Sequence, residues 1–593
     1  MTHRIEVGYR PGFPDPRGMD TLSTIRSFLS IPIREVRCFD VYTIEADLSE
    51  QEVIRACDHL ADPVTQQGAV GRLAPAPFDF VVSVGYRPGV TDAVGKSALV
   101  LLQDMAGRSL APSSAVFTSR LTFLSGVNEQ QAHRIATELL ANSLIERFFI
   151  LSQSDYLASP IDLSIPVINS THTPVCGAID LSGSDQKLER LSKERILSLS
   201  LEEMKAIREA YEEPDFLRAR TVVGLGAFPT DAELECLAQT WSEHCKHKIF
   251  NATIDYYEQG QESKTIESLF KTYIREPTER IRKQQETRRG ESWLVSVFHD
   301  NAGVIAFNDD YHLVYKVETH NSPSALDPYG GAMTGVVGVN RDTFGTGLGA
   351  DLLVNVWGYC LADPRTDRQI PRGLLHPRRI RDGVHRGVID GGNQSGIPYG
   401  RGWELFDDRF LGKPLVFCGT VGKMPVMSAG RPTHLKAARP GDRIVMCGGR
   451  IGKDGIHGAT FSSAQLDESS PVQAVQIGDP ITQKIMFDFL IEARDRGLYH
   501  AITDNGAGGL SSSVGEMCVA SGGAQLDLAK APLKYPGLDP WEILISEAQE
   551  RMTLAVAPEH LEAFMDLARH RNVEASDLGV FTDSGYFHVK YAD

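Results

Sequence analysis

Val314-Tyr315-Lys316-Val317-Glu318-Thr319-His320-Asn321 alternates apolar and polar side chains, the pattern of a β-strand with two unlike faces. Lys316, Glu318 and His320 fall on one face, Tyr315 and Val317 on the other. An ammonium, a carboxylate and an imidazole in one row suit a phosphate, a divalent metal and a proton transfer respectively. An exposed strand of mixed charge has the same pattern, but the residues that follow favour chemistry. Gly330-Gly331-Ala332-Met333-Thr334-Gly335 reads as a glycine-rich turn open to an anion. Arg341 and Asp342 then add a guanidinium fork for phosphate and a carboxylate for magnesium.

Upstream, Thr230 and Glu233 form a T-x-x-E capping box after Pro229. The helix it starts is predicted to carry Leu234, Leu237, Trp241 and His244 along one buried stripe, with His247 on nearly the same side. Ser242-Glu243-His244-Cys245-Lys246-His247 is dense in reactive groups. On spacing alone it suits a core histidine at a helix end, a zinc site or a Cys245 nucleophile. The usual zinc ligand spacing is missing, and a thiol in a helix interior is ordinarily inert.

Downstream, Gly449 to Gly458 is a polar glycine-rich loop, and Val475 to Pro480 is a strand end entering a turn. Thr503-Asp504-Asn505-Gly506-Ala507-Gly508-Gly509 is a glycine turn carrying a carboxylate. Ser546-Glu547-Ala548-Gln549-Glu550-Arg551-Met552 is a charged cluster after an apolar run. Each alone reads as a turn or a solvated edge. Together they supply oxygen ligands and amides for a polar, phosphorylated substrate. From about 220 onward, glycine clusters, Val/Ile-rich strands and helical stretches alternate, which is α+β or α/β character. The turn and strand at Pro440 to Gly449 open another unit.

The N-terminal region repeats itself. Val7-Gly8-Tyr9-Arg10-Pro11-Gly12 recurs as Val84-Gly85-Tyr86-Arg87-Pro88-Gly89, with Asp15 matching Asp92 and Gly18 matching Gly95. Each copy is a strand, a Pro-Gly turn and a helix, and Leu22, Ile25 and Leu29 share a face of the first helix. Two adjacent copies make a pseudo-dimer. Gly89 to Gly95-Lys96-Ser97 imitates a Walker A loop but has five residues between the glycines instead of four. The expected domains are repeats at 1–78 and 79–165, a linker at 166–215, and α/β and α+β domains at 216–430 and 431–593. The polar connector from Ser182 to Glu213 carries an amphipathic helix at Leu201 to Arg208.

Composition narrows the function. The 593 residues are 42% hydrophobic and 23% charged, which excludes a disordered or fibrous chain. Sixty Lys and Arg against 77 Asp and Glu leave a net charge of −17, so general affinity for nucleic acid or anionic lipid is not expected. No apolar run reaches the ~18 residues of a membrane span. Nine widely spaced cysteines, an N-terminus without an apolar signal core and no C-x-x-C point to a reduced, cytoplasmic chain.

Trp241-Ser242-Glu243-His244-Cys245-Lys246-His247-Lys248-Ile249-Phe250-Asn251, Lys316-Val317-Glu318-Thr319-His320-Asn321 and Gly452-Lys453-Asp454-Gly455-Ile456-His457-Gly458-Ala459-Thr460-Phe461 together resemble the phosphoribosylformylglycinamidine synthase family of purine biosynthesis. The N-terminal repeats look like two fused copies of that enzyme's small accessory subunit, and 182–213 looks like the linker of its long form. The resemblance implies a fold of accessory-like α/β repeats, helical linker, and aminoimidazole-ribonucleotide-synthetase-like N-terminal α/β and C-terminal α+β domains. It also implies a reaction: ATP activates the amide oxygen of formylglycinamide ribonucleotide as an iminophosphate, and glutamine-derived ammonia displaces phosphate.

By motif position, His244 and His320 would be catalytic, with His320 the proton acceptor. Lys316 and His247 would contact ATP, and Glu318, Asp342 and Asp504 would hold Mg2+. Thr319, Asn321, Ser322, Arg341, Gln476, Glu547, Ala548 and Gln549 would contact substrate. Ser322 stands where the family usually has a second histidine, and His247 follows the long form. The resemblance covers one of the family's two tandem halves. The expected partners are therefore a second synthetase-half polypeptide and a glutaminase subunit. A non-catalytic assembly subunit and a homodimeric ATP-dependent enzyme of the same fold are the alternatives.

Overall fold

The repeated Val-Gly-Tyr-Arg-Pro-Gly motif closes two equivalent strands. In the computed structural model, which describes residues 1–111, 113–143, 145–168, 171–371, 373–458 and 478–592, they are β1 (Thr2–Tyr9) and β4 (Phe80–Tyr86). The first copy continues through α1 (Pro16–Phe28), β2 (Glu35–Glu45), α2 (Glu50–Leu60) and β3 (Gln66–Val70). The second continues through α3 (Ala93–Ala106), β5 (Ala115–Ser125), α4 (Glu129–Ile135) and β6 (Glu146–Ser152). All six strands form one sheet in the order β3-β1-β2-β5-β4-β6, so the copies join through antiparallel β2 and β5. This sheet belongs to the first of two units, Met1–Asn169, and the second is Ser170–Asp593.

One device builds both copies. Asp15 caps α1, accepting from Gly18 N at 2.9 Å, and its other oxygen takes Cys38 N of β2 at 2.7 Å. Asp92 caps α3 from Gly95 N at 2.7 Å and takes Thr118 N of β5 at 2.6 Å. Each carboxylate thereby satisfies an orphan helix N–H and ties the helix to the next strand. Gly18 and Gly95 permit the close approach, since a Cβ there would sit 2.5 Å from Val36 O and 2.2 Å from Val116 O. The Walker-like string is therefore a helix cap. Ile25 and Leu29 are buried against Val82, Val84 and Leu124, with Leu22 packed alongside, as the helix periodicity requires.

In the second unit, α5 (Asp185–Glu194) and α6 (Leu201–Glu212) pack with α7 (Asp231–Thr240) around Leu188, Met204, Ile207 and Leu234. A second six-stranded sheet follows, built from β7 (Leu294–Ser296), β8 (Gly303–Ala306), β9 (Tyr311–Thr319), β10 (Asp351–Leu361), β11 (Tyr399–Phe406) and β12 (Leu415–Pro425). Its order is β11-β10-β12-β9-β8-β7, antiparallel except for the β10–β11 pair. Short α8 (Asn321–Leu326) leads into α9 (Pro328–Phe344), which packs with α10 (Pro377–Ser395) on one face of this sheet. Val336, Val339, Val384 and Val388 bury Tyr359, Leu361 and Val416 there. The opposite face leaves Tyr315, Val317, Trp403 and Leu405 exposed.

The glycine-rich stretch read as an anion-binding turn lies inside α9, and Gly330, Gly331 and Gly335 are buried. Those glycines serve packing. A Cβ on Gly331 would lie 2.5 Å from Ser324 N, and one on Gly335 would lie 2.9 Å from the Cβ of His320. Local composition misleads here because glycine also marks close helix contacts.

A third sheet comprises β13 (Arg443–Gly448), β14 (Ala501–Asp504), β15 (Ala524–Asp527), β16 (Arg551–Val556), β17 (Ala575–Phe581) and β18 (Phe587–Lys590), in the order β14-β16-β13-β17-β15-β18. On one side, α11 (Pro480–Asp495) and α13 (Leu561–His570) bury Phe489, Leu490 and Phe564 against Val445 and Leu554. The other side holds α12 (Gly509–Ser521), with Leu510 and Val514 packed on Ile444 and Ala555. Phe344, the last residue of α9, stacks on Phe487 of α11 at 3.9 Å and joins the two domains of this unit. Among the described residues, no helix is long and apolar enough to cross a membrane.

Candidate active site

On β9 the alternation runs from core to cleft. His312 and Val314 are buried, and the same face then presents Lys316 and Glu318, while Tyr315 and Val317 turn to the open side of the sheet. Lys316 Nζ lies 3.2 Å from Glu318 Oε1 and 3.0 Å from Asp342 Oδ2 of α9, and donates to Asn301 O at 2.9 Å. Burial opposes the ammonium, but Asp342 and Glu318 outweigh it and hold Lys316 protonated. Burial raises the Asp342 carboxyl above its usual range, and Glu318 pushes in the same direction.

Arg341, adjacent to Asp342, is almost fully buried, with Nε 3.6 Å from Asp504 Oδ2 at the end of β14. Its Nη1 donates to Gln549 Oε1. Asp504 also accepts from Asn301 Nδ2 at 3.0 Å, and burial, then Asp342, pushes its carboxyl up to about 6. Asn301 thus bridges the two halves of the cluster, through its carbonyl to Lys316 and its amide to Asp504. Beside it, Asp300 pairs with Lys436 at 2.6 Å and accepts from Gly347 N at 2.7 Å. Asn301, Asp300 and Lys436 escaped the sequence reading because Asp-Asn before a strand is a common turn signal.

His320 ends the row. Its backbone N–H still bonds Val416 O at 2.9 Å, and its ring Nδ1 bonds Gly331 O of α9. A carbonyl accepts only, so Nδ1 carries the proton and Nε2 keeps its lone pair. Burial lowers the ring to about 4, and His244 and Arg341 act in the same sense. His320 is therefore a neutral base at pH 7.

His244 reaches the cleft by another route than the expected stripe. The helix α7 stops at Thr240, and Ser242 accepts from Cys245 N at 3.1 Å to start a separate turn, Glu243–Lys246. The break frees His244 from the apolar face of α7. Its ring keeps solvent access, while desolvation in the recess and then His247 and Lys316 lower its pKa. His247 closes this turn in the left-handed region at φ 52°. Burial pushes the Cys245 thiol up to about 11, which leaves it protonated and a poor nucleophile at neutral pH.

The other candidate residues divide. Thr319 is exposed at the strand end. Asn321 spends its side-chain oxygen on Val416 N at 2.9 Å, and Ser322 is buried in the first turn of α8. Glu547, Ala548 and Gln549, read as part of a solvated edge, are buried. Gln476 lies outside the described residues, as do Ala459, Thr460 and Phe461 of the third motif. As they stand, no three His, Cys, Asp or Glu side chains among the described residues form a metal-holding group. Lys316 supplies the positive charge between Glu318 and Asp342.

These domains define a class. Residues 299–424 match the AIR synthase related protein N-terminal domain, and 439–592 match its C-terminal domain. Residues 188–248 match the formylglycinamide ribonucleotide amidotransferase linker domain. The chain thus carries AIR-synthase-related N-terminal and C-terminal domains and an amidotransferase linker domain. More particularly, it is similar to phosphoribosylformylglycinamidine synthase subunit PurL. It is 38% identical over 410 residues to phosphoribosylformylglycinamidine synthase subunit PurL of Thermoplasma acidophilum, covering 69% of this chain and 48% of that protein. It is 40% identical over 301 residues to the Methanopyrus kandleri subunit, covering 50% and 39%. A solved structure of T. maritima PurL complexed with FGAR shares 30% identity at a TM-score of 0.48, covering 64% of this chain and 54% of that one. The chain spans about half the length of the curated relatives it matches.

Proposed function

We propose that this chain works in phosphoribosylformylglycinamidine synthase, in the cytoplasm, making formylglycinamidine ribonucleotide from formylglycinamide ribonucleotide, ATP and glutamine-derived ammonia. The observation that carries this is the meeting of Lys316, Glu318, Asp342, Arg341 and Asp504 around Asn301 beside the neutral imidazole of His320. The relatives' subunit name agrees with it.

Lys316 and His247 bind the nucleotide phosphates, and Arg341 with Gln549 holds the ribonucleotide. Glu318, Asp342 and Asp504 offer hard carboxylate oxygens of the kind magnesium takes, although as they stand they form no metal-holding group and Lys316 sits between Glu318 and Asp342. These three would hold the ion, which supplies charge neutralisation at the transferring phosphoryl group. His320 Nε2 takes a proton from ammonia as its nitrogen attacks the activated amide carbon, and the Gly331 carbonyl keeps the ring aimed. His244 stays neutral beside it and orients the leaving phosphate. Fixed charges of this kind account for most of the acceleration in phosphoryl transfer.

A second synthetase half on another polypeptide completes the site, and a glutaminase subunit delivers ammonia. The open sheet face at Tyr315, Val317, Trp403 and Leu405 is the surface we assign to that second half. Its apolar character and the relatives' additional length support this assignment. The test combines the chain and the second-half polypeptide with formylglycinamide ribonucleotide, ATP, magnesium and ammonium. ADP release that requires both chains supports the reading. No turnover by the assembled complex, or full turnover with His320→Ala, overturns catalysis here and leaves an assembly role.

A further inference from the structure

Arg551, at the start of β16, is fully buried, and among the described residues no carboxylate lies within ion-pair distance of its guanidinium. Its contacts are main-chain oxygens and a thioether: Nε donates to Ala548 O at 2.7 Å, Nη2 to Ser546 O at 2.5 Å, and Nη1 faces Met446 Sδ at 3.7 Å. A buried charge in direct contact with neutral groups alone is expensive, even with Asp454, Glu547 and Glu550 acting on it from further off, and a neutral side chain could fill this volume more cheaply. The two carbonyls it gathers belong to alternate residues of the stretch carrying Glu547, Ala548 and Gln549.

That stretch has no regular structure of its own. It leaves a short helix at Ile545 and ends at Glu550, which is held at φ 56°. Ser546 Oγ donates to Gly452 O at 2.7 Å, and Glu547 N donates to Asp454 O at 3.0 Å, which ties it to the glycine-rich loop. Gln549 Nε2 donates to Glu547 O at 2.9 Å, leaving Gln549 Oε1 to meet Arg341. Drawing the 546 and 548 carbonyls inward orients the intervening segment and presents Gln549 to Arg341.

We infer that Arg551 is a positioning residue for substrate: by forking the Ser546 and Ala548 carbonyls it sets the Glu547–Gln549 segment and, through Gln549, the Arg341 guanidinium that receives the ribonucleotide. This rests on the substrate reading proposed above. Two variants of the full chain, each assembled with the second synthetase half, test it. Arg551→Lys keeps the charge but loses the fork, and Arg551→Gln keeps a donor without the charge. Peptide-level hydrogen exchange over 546–552 reports the clamp, and calorimetric titration with formylglycinamide ribonucleotide and, separately, with ATP and magnesium reports its use.

The expected result is exchange at least tenfold faster over 546–552 and ribonucleotide affinity about tenfold or more weaker in both variants, with nucleotide affinity within twofold of the unmodified chain. Unchanged exchange overturns the clamp. Faster exchange with unchanged ribonucleotide affinity overturns the positioning role, as does equal weakening for both ligands or loss of the folded state in both variants. An unmodified assembled complex that binds nucleotide but not formylglycinamide ribonucleotide overturns the substrate reading itself, and the positioning role with it, so the two failures are told apart.

Discussion

The N-terminal sheet and the cleft beneath β9 both bury carboxylates, but they use them differently. Asp15 and Asp92 are each shared between a helix N-terminus and a neighbouring strand. Glu6 is likewise enclosed, taking Arg4 Nη2 at 2.8 Å and Leu73 N at 2.8 Å. These groups meet donors, and although burial still raises the Asp92 carboxyl, the Gly95 and Thr118 hydrogen bonds oppose it. In the cleft, burial and then a neighbouring carboxylate, Glu318 for Asp342 and Asp342 for Asp504, push both toward protonation against the nearby cations. Arg341 and the buried Arg551 add crowding of the opposite sign, with Asp454, Glu550 and Glu547 partly offsetting it at Arg551. The N-terminal carboxylates are engaged by backbone donors, whereas the cleft carboxylates also face one another beside cations, the crowding expected of groups gathered for chemistry.

The strongest way to break this contrast is at His320. His320→Ala is expected to cut turnover of the assembled complex by about 10²–10⁴-fold while shifting the melting temperature little, as read by steady-state ADP release beside calorimetry. Near-normal turnover would place the base elsewhere.

Asp342→Asn sharpens the contrast. Removing one of the mutually repelling charges should raise the melting temperature slightly while turnover falls by about 10²-fold or more. A lower melting temperature would mean that the pairing with Lys316 dominates and the cleft is built like the N-terminal sheet.

Gly95→Ala tests the other region. Its Cβ would meet the Val116 carbonyl at 2.2 Å, and backbone cannot yield as a side-chain tip can. The N-terminal unit should lose about 2–3 kcal/mol, measured by chemical denaturation. Asp15→Ala and Asp92→Ala each remove a cap and should cost about 1–2 kcal/mol, equally if the repeats are equivalent in energy as well as geometry. A difference of more than about 1 kcal/mol between them would break that equivalence.

The smallest effect is at His312, buried beside His434 with neither ring nitrogen hydrogen-bonded. Burial, then His434, lowers its folded pKa below the ordinary histidine value. The unfolded chain therefore takes up the proton first on acidification, and stability falls as the pH drops below about 6.5. His312→Phe should reduce that dependence between pH 7 and 5. An unaltered melting profile would assign the acid sensitivity to other groups.

Legibility from sequence followed how local each interaction is. The capping box at Thr230 and Glu233 forms as expected, because both partners lie within one turn. The Lys316–Glu318 face was readable from strand periodicity, and Asp15/Asp92 with Gly18/Gly95 from the repeat. The path to His244 was misread because Ser242 competes as an N-cap, and nothing in the apolar stripe announces where a helix yields to a new turn. Gly330 to Gly335 were misread because turn glycines and packing glycines are identical in composition.

Sequence by itself determined the strand carrying Lys316 and Glu318, the paired repeats and the helix caps, since these depend on residues a few positions apart or on a period of two. Only the tertiary structure decided that Asn301 would bridge Lys316 to Asp504, that Gln549 would meet Arg341 across 208 positions, and that Arg551 would lie buried against the Ser546 and Ala548 carbonyls. Those contacts depend on how two sheets and the α9 helix come together, and the desolvation that gives the groups their reactivity exists only once that packing has closed around them.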